Sequence, residues 1–335
     1  MKPAPATCLQ HTAETRLPGA DMSTPPIARS ATRHRTARVA GLDIFYREAG
    51  PDDTPVVVLL HGFPSSSHMY RNLIPALADR YRVIAPDLPG FGLSAMPSPE
   101  AFAYGFASFA AVVDELLAGL GASRYTLYVM DYGAPVGFRL ALAHPERVTA
   151  LIVQNGNAYE AGMGDFWTST RALWADNSEA NRNAMRPFLT IDGTRFQYVT
   201  GVKEIDRIDP AAWVHDQFFL DRPGSKEIQL DIIFDYRTNV ALYPEFHRYF
   251  REFQPPALIL WGVDDPIFLP EGAQAFLHDL PHAELHRFDT GHFALEDKAD
   301  DMVPLIRRFL EKNLQGRAAG RPPAKEDDGT AYPAG

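Results

Sequence analysis

Residues 125–137 read YTLYVMDYGAPVG. An apolar, β-favouring run leads straight into Asp131, then Tyr132-Gly133, then small and apolar residues suited to a helix. A strand that turns sharply into a helix at this point lifts the Asp131 side chain above the sheet edge. The helix N-terminus behind it favours a negative charge. The same letters also fit an aspartate that merely caps a helix starting near Ala134.

Working outward, the strand–turn–helix rhythm repeats on both sides. VVVLL at 56–60 and RVIA at 82–85 are short all-apolar runs, the mark of strands buried on both faces, and 42–47 reads as an earlier strand. Phe106, Phe109, Val113, Leu116 and Leu120 recur at helical spacing. A helix at 134–144 and a strand at 150–154 follow. The alternation predicts an α/β architecture, a mostly parallel central sheet flanked by helices. It stops near Asn155. Residues 158–250 carry three of the four tryptophans and mainly helical patterns, and a buried strand returns at 256–261. A further strand at 283–288 and an amphipathic helix at 302–314 complete the series. The helical block therefore reads as a lid inserted between strands six and seven, over the edge where open α/β sheets bind ligands. The expected organisation is a disordered leader at 1–34, a core at 35–157 and 251–314, a cap at 158–250, and a disordered tail at 315–335.

The chain has 335 residues, 46% hydrophobic and 22% charged, an ordinary balance for a soluble enzyme. A formal charge of -10 and a pI near 5.5 argue against nucleic acid or an anionic membrane as the main partner, leaving a small-molecule substrate. The single cysteine, Cys8, allows no intramolecular disulfide and no cysteine-based zinc site. Neither a secretory h-region nor an apolar run of about 20 residues is present, so the cytoplasm is the default compartment. Met22 is an alternative start to Met1, and oligomeric state is left open.

Four loops, each at the C-terminal end of an expected strand, hold the chemistry. In VVVLLHGFPSSS, Gly62 allows close backbone approach and the Phe63 N–H is free to donate to an oxyanion. Ser65–Ser67 read as caps of the following helix. Asp131 occupies the second loop. LILWGVDDPIF places Asp264 and Asp265 after a strand, either as turn aspartates or as the partner of a histidine. FDTGHFALED offers His292. Taken singly, each loop has a plain structural reading. Together, in this order, they make a nucleophile, acid and base.

HGFPSSSHMYRNLIPALADRYRVIAPDLPGFGLS, the Asp131 turn, WGVDD and GHFALE resemble the α/β-hydrolase superfamily over residues 36–314. The aspartate at the elbow narrows the resemblance to the epoxide hydrolase and haloalkane dehalogenase branch, fluoroacetate dehalogenases included. The resemblance implies Asp131 as nucleophile, Asp265 as acid (third after the glycine in G-x-x-D) and His292 as base. It implies backbone oxyanion donors at Phe63 and Tyr132. Asn155 stands where some dehalogenases keep their acid, and an amide cannot be one.

A carboxylate is ionised at neutral pH and attacks saturated carbon, leaving an alkyl ester on the enzyme. His292, oriented by Asp265, would activate water to hydrolyse that ester. The route requires no metal or organic cofactor. Epoxide opening needs a donor for the departing oxygen, and by resemblance to the family's lid tyrosines Tyr236 (FDYRTNV) and, more loosely, Tyr198 (RFQYVTG) are candidates. Halide departure needs N–H donors, for which Trp167 and Trp174 are candidates. Tyr132 replaces the tryptophan common to both branches, and HGFP looks like the epoxide hydrolase form. The expectation is an epoxide hydrolase, with a haloalkane or haloacid dehalogenase second. A non-hydrolytic ligand-binding member of the fold is the third alternative.

Overall fold

A computed structural model describes residues 31–314. Eight strands form one sheet: β1 (Arg33–Val39), β2 (Leu42–Ala49), β3 (Val56–Leu60), β4 (Arg82–Pro86), β5 (Tyr125–Met130), β6 (Val148–Gln154), β7 (Ala257–Gly262) and β8 (Glu284–Phe288). Their spatial order is β1-β2-β4-β3-β5-β6-β7-β8. The β1–β2 and β2–β4 pairs are antiparallel, and all pairs from β4 through β3 to β8 are parallel.

The all-apolar strands divide by alternate residue between two cores. Val58 and Leu60, Leu127 and Val129, Leu151 and Val153, and Ile259 and Trp261 face one core, beneath the helices Phe106–Gly119, Gly133–Ala143 and Pro270–Asp279. Val57, Leu59, Tyr128, Met130, Ile152, Leu258 and Leu260 face the other, with Leu73–Leu77 and Ala299–Leu314. Burial on both faces explains why these strands read as unbroken apolar runs.

Two boundaries differ from expectation. Arg33 and His34, placed in the leader, belong to β1, which pairs with β2 along its whole length. Its sequence RHRTARV has no apolar alternation because it is an exposed edge strand, held by its ladder and by an Arg35–Glu48 ion pair at 3.2 Å. The last helix before β7, Arg237–Phe253, runs past residue 250, the expected end of the cap. Between β6 and β7 the chain is otherwise helical from Glu160 onward, as the sequence pattern predicts. Residues 1–30 of the leader, with Cys8 and Met22, and the tail from 315 lie outside the described residues. No described helix is long and apolar enough to cross a membrane.

Candidate active site

The β5 strand delivers Asp131 at a positive φ of 48° into the turn that opens the helix Gly133–Ala143. Two glycines make this turn possible. A Cβ on Gly133 would overlap the Leu60 carbonyl of β3, and one on Gly62 would overlap the Asp131 carboxylate itself. The helix cap is Tyr132, whose side chain makes no capping bond. Asp131 instead turns its carboxylate toward the end of β3, where Oδ1 accepts from the Phe63 backbone N–H at 2.7 Å. The Tyr132 backbone N–H also donates to this carboxylate. The helix-cap reading of Asp131 is thereby set aside. The end of β3 is closed by the expected serine cap, with Ser66 Oγ accepting from the His68 N–H.

His292 is fully buried in the loop after β8, and its Nδ1 lies 2.8 Å from Asp265 Oδ2. With the carboxylate there, Nδ1 carries the proton and Nε2 faces Asp131. Nε2 stands 3.8 Å from Asp131 Oδ2, too far for a direct hydrogen bond, and has no partner among the described residues. The choice between the two aspartates after β7 is made by exposure. Asp264 reaches outward to Lys203 at 2.8 Å, whereas Asp265 is buried, with Oδ1 accepting from the Ile267 N–H at 2.7 Å.

Asn155 ties these loops together, a role the sequence did not announce. It directly follows β6 at a positive φ of 40°, a conformation asparagine tolerates better than most residues. Its Nδ2 donates to Asp265 Oδ2 at 2.8 Å, and its Oδ1 accepts from the Gly262 N–H at 3.0 Å. Its carbonyl accepts from the Asp131 N–H at 3.3 Å. One residue thus contacts both the Asp131 turn and the Asp265 loop.

Burial raises the Asp131 pKa above the ordinary carboxylate value, opposed by His292 and by the Phe63 and Tyr132 N–H groups. For His292, burial alone would lower the pKa. The Asp265 carboxylate, hydrogen-bonded to it, and then Asp131 outweigh that effect and leave it raised.

A cavity of about 30 Å³ opens on Asp131, walled by Phe63, Tyr132 and Ile267 from the core and by Phe166, Trp167, Phe188, Ile233 and Tyr236 from the helical segment. Of the four cap candidates, Tyr236 and Trp167 reach it, and Tyr198 and Trp174 do not. The Tyr198 hydroxyl donates to Asp216 at 2.5 Å while its ring stacks on Phe293, on the opposite core. The Trp174 N–H donates to the Ile233 carbonyl at 2.8 Å. Trp167 borders the cavity, but its N–H is committed to the Ile267 carbonyl at 2.7 Å. Tyr236 is 1% exposed, and its hydroxyl makes no hydrogen bond within 3.5 Å among the described residues, interacting only with the Tyr243 phenol. Burial raises its pKa well above the ordinary phenol value, and nearby Tyr243 pushes it further. Gln197, next to the misplaced Tyr198, also lines the cavity. The only sequence signal for it was its helical neighbour: turning one residue swaps which side chain faces inward.

A family model described as alpha/beta hydrolase fold matches residues 55–299. An uncharacterized hydrolase of Saccharomyces cerevisiae is 42% identical over 267 residues, covering 78% of this chain and 91% of the relative. A cis-3-alkyl-4-alkyloxetan-2-one decarboxylase of Xanthomonas campestris is 33% identical, covering 82% and 94%. A haloalkane dehalogenase of Bradyrhizobium diazoefficiens is 28% identical, covering 86% and 96%. The solved structure of the epoxide hydrolase CorEH superposes with a TM-score of 0.70 at 21% identity, over 84% of this chain and 99% of that one, a likeness of fold. The chain is an enzyme that belongs to the alpha/beta hydrolase fold family, with haloalkane dehalogenases among its relatives and an epoxide hydrolase among the structures that share its fold.

Proposed function

We propose that this enzyme opens a small apolar epoxide to a diol through a covalent ester on Asp131. The observation that carries the reading is the contrast at the cavity wall. Trp167, the tryptophan on that wall, spends its N–H on the Ile267 carbonyl, while the buried Tyr236 hydroxyl makes no hydrogen bond within 3.5 Å among the described residues and interacts only with the phenol of Tyr243 behind it. A departing ring oxygen must be given a proton, which a phenol can transfer and an indole or amide N–H cannot, whereas a halide leaves without one and needs only hydrogen-bond donors.

The chemistry runs in two steps. Asp131 Oδ2, the oxygen outside the Phe63 bond, attacks a ring carbon. The ring C–O bond breaks, its electron pair passes to oxygen, and that oxygen takes a proton from Tyr236, which is replenished from solvent. The Asp131 charge disappears as the ester forms. One of the groups that raised the His292 pKa is then gone, so the imidazole is released toward its neutral, basic form. The gap of 3.8 Å between His292 Nε2 and Asp131 Oδ2 suits a base that deprotonates water on its way to the ester carbonyl carbon. Oδ1 becomes the oxyanion while still held by the Phe63 N–H, with the Tyr132 N–H donating to the same carboxyl group. Collapse breaks the acyl C–O bond and returns the proton from His292 to the diol oxygen, leaving Asp131 as a carboxylic acid that gives its remaining proton, the one carried in by water, to solvent and so regains its charge.

Dehalogenation is the second reading, favoured by the haloalkane dehalogenase among the relatives. The test is a parallel panel of epoxides, haloalkanes and haloacids, with diol and halide measured separately on the parent enzyme and on Tyr236→Phe. The epoxide reading expects diol from the parent and a drop of about 10²–10³ in Tyr236→Phe, the usual loss of one such donor. Halide release without diol from any epoxide overturns it.

A further inference from the structure

We infer that Gln197 is a second hydrogen-bond donor to the leaving oxygen, beside Tyr236, so that the site holds its substrate with one acidic and one non-acidic donor. The inference rests on the epoxide reading above.

Gln197 lies on the helix Ile191–Val199 and is 1% exposed. It lines the same cavity as Asp131 and Tyr236, and its Nε2 has no hydrogen-bond partner among the described residues. An unpaired buried amide costs about 1–3 kcal/mol, a loss that a well-packed helix has no structural reason to carry. Its neighbours in the cavity offer it little. Phe63, Phe166, Trp167, Phe188, Ile233 and Ile267 present apolar surface, and the Trp167 N–H is taken. Thr170, the small polar residue of the wall, donates to the Met185 sulfur. The polar residue that a sequence reading favours on this helix, Tyr198, is committed to Asp216 on the far side. What remains for the Gln197 amide is a ligand that enters beside Asp131.

The chemistry of an amide sets its part. Its N–H can stabilise an alkoxide but cannot give up the proton, so proton transfer to the ring oxygen falls to Tyr236 alone. As the ring C–O bond breaks, charge grows on oxygen, and both donors strengthen together. Gln197 therefore acts in ester formation. It has no part in ester hydrolysis, where the oxyanion sits on Asp131 Oδ1 against the Phe63 N–H.

The test measures ester formation and ester hydrolysis separately, by quenched-flow intact-mass spectrometry, in the parent, Gln197→Met and Gln197→Glu. Methionine keeps the length and volume without a donor. Ester formation should fall about 10²-fold in Gln197→Met, with the rate of ester hydrolysis unchanged. Gln197→Glu should keep the low-pH limb set by ionisation of Asp131 and add a second limb, losing ester formation as pH rises and the new carboxyl ionises, stops donating and repels the developing alkoxide. A residue that only shapes the wall would give no such new pH limb. Thermal unfolding of each variant checks that the fold is kept. If the parent makes diol and Gln197→Met forms ester at the parent rate, the Gln197 assignment is overturned and the epoxide reading stands. If the parent releases only halide, both fall.

Discussion

Asn155→Ala tests whether the loop-bridging asparagine holds the site together. The substitution deletes the Nδ2–H bond to the Asp265 carboxylate at 2.8 Å and strips the buried Gly262 N–H of its acceptor at 3.0 Å. A hydrogen bond to a charged group contributes about 1.5–3 kcal/mol, and an orphaned buried donor costs about 1–3 kcal/mol. Alanine at a positive φ adds about 1 kcal/mol more than asparagine would. With some relaxation of the loops, the expected loss is about 4 kcal/mol, a large share of the stability of an ordinary domain. At this chain length that corresponds to a fall in Tm of about 6 °C. Function should suffer asymmetrically. Asp265 keeps its bond to the Ile267 N–H but gains freedom to rotate away from His292, while the Phe63 hold on Asp131 is untouched. Ester hydrolysis should therefore slow about tenfold, the worth of one net hydrogen bond, and ester formation should stay within a factor of two or so. Urea titration gives the first number and quenched-flow mass spectrometry the second. A stability loss below about 1 kcal/mol together with an unchanged hydrolysis rate would refute the reasoning.

His292→Gln should form the Asp131 ester and fail to hydrolyse it, so intact mass rises by one substrate and peptide mapping places the adduct on Asp131; an adduct on Ser65–Ser67 defeats the carboxylate route. A single turnover in 18O-labelled water should give unlabelled diol, because the new oxygen comes from Asp131, with label entering the product from the second turnover; labelled diol in the first turnover points to direct attack by water. For pH, attack requires ionised Asp131, whose pKa is raised, so ester formation should decline as pH falls through a value above the ordinary carboxylate range. Ester hydrolysis requires neutral His292, and its limb should lie at lower pH than the His292 titration of the resting enzyme seen by NMR, since the ester has removed the Asp131 charge. Coincident values contradict that coupling. Tyr198→Phe should leave ester formation near the parent rate, since its hydroxyl serves Asp216; a loss of 10²-fold places it at the substrate after all.

The sheet and the order of the loops were legible from local sequence alone. Strands buried on both faces must be apolar throughout, and the chain advertises this at 56–60, 125–130 and 257–260. Residues at the C-terminal ends of such strands have little choice of position, so Asp131, Asp265 and His292 could be placed together without coordinates. Edge strand β1 escaped because pairing by backbone hydrogen bonds leaves no mark on polar side chains. The helical segment between β6 and β7 was harder for a related reason. Its helices pack on one another and on the sheet, and a side chain points to the cavity or away from it according to a rotation of about 100° per residue. Gln197 and Tyr198 are neighbours in sequence on opposite sides of that decision. Whether a tryptophan N–H is free is likewise set by carbonyls brought in from elsewhere, as Ile267 meets Trp167 across 100 residues. Sequence by itself determined which residues stand at the strand ends, because strand geometry is local. Tertiary packing alone decided which donors face Asp131, because hydrogen-bond partners are chosen in space.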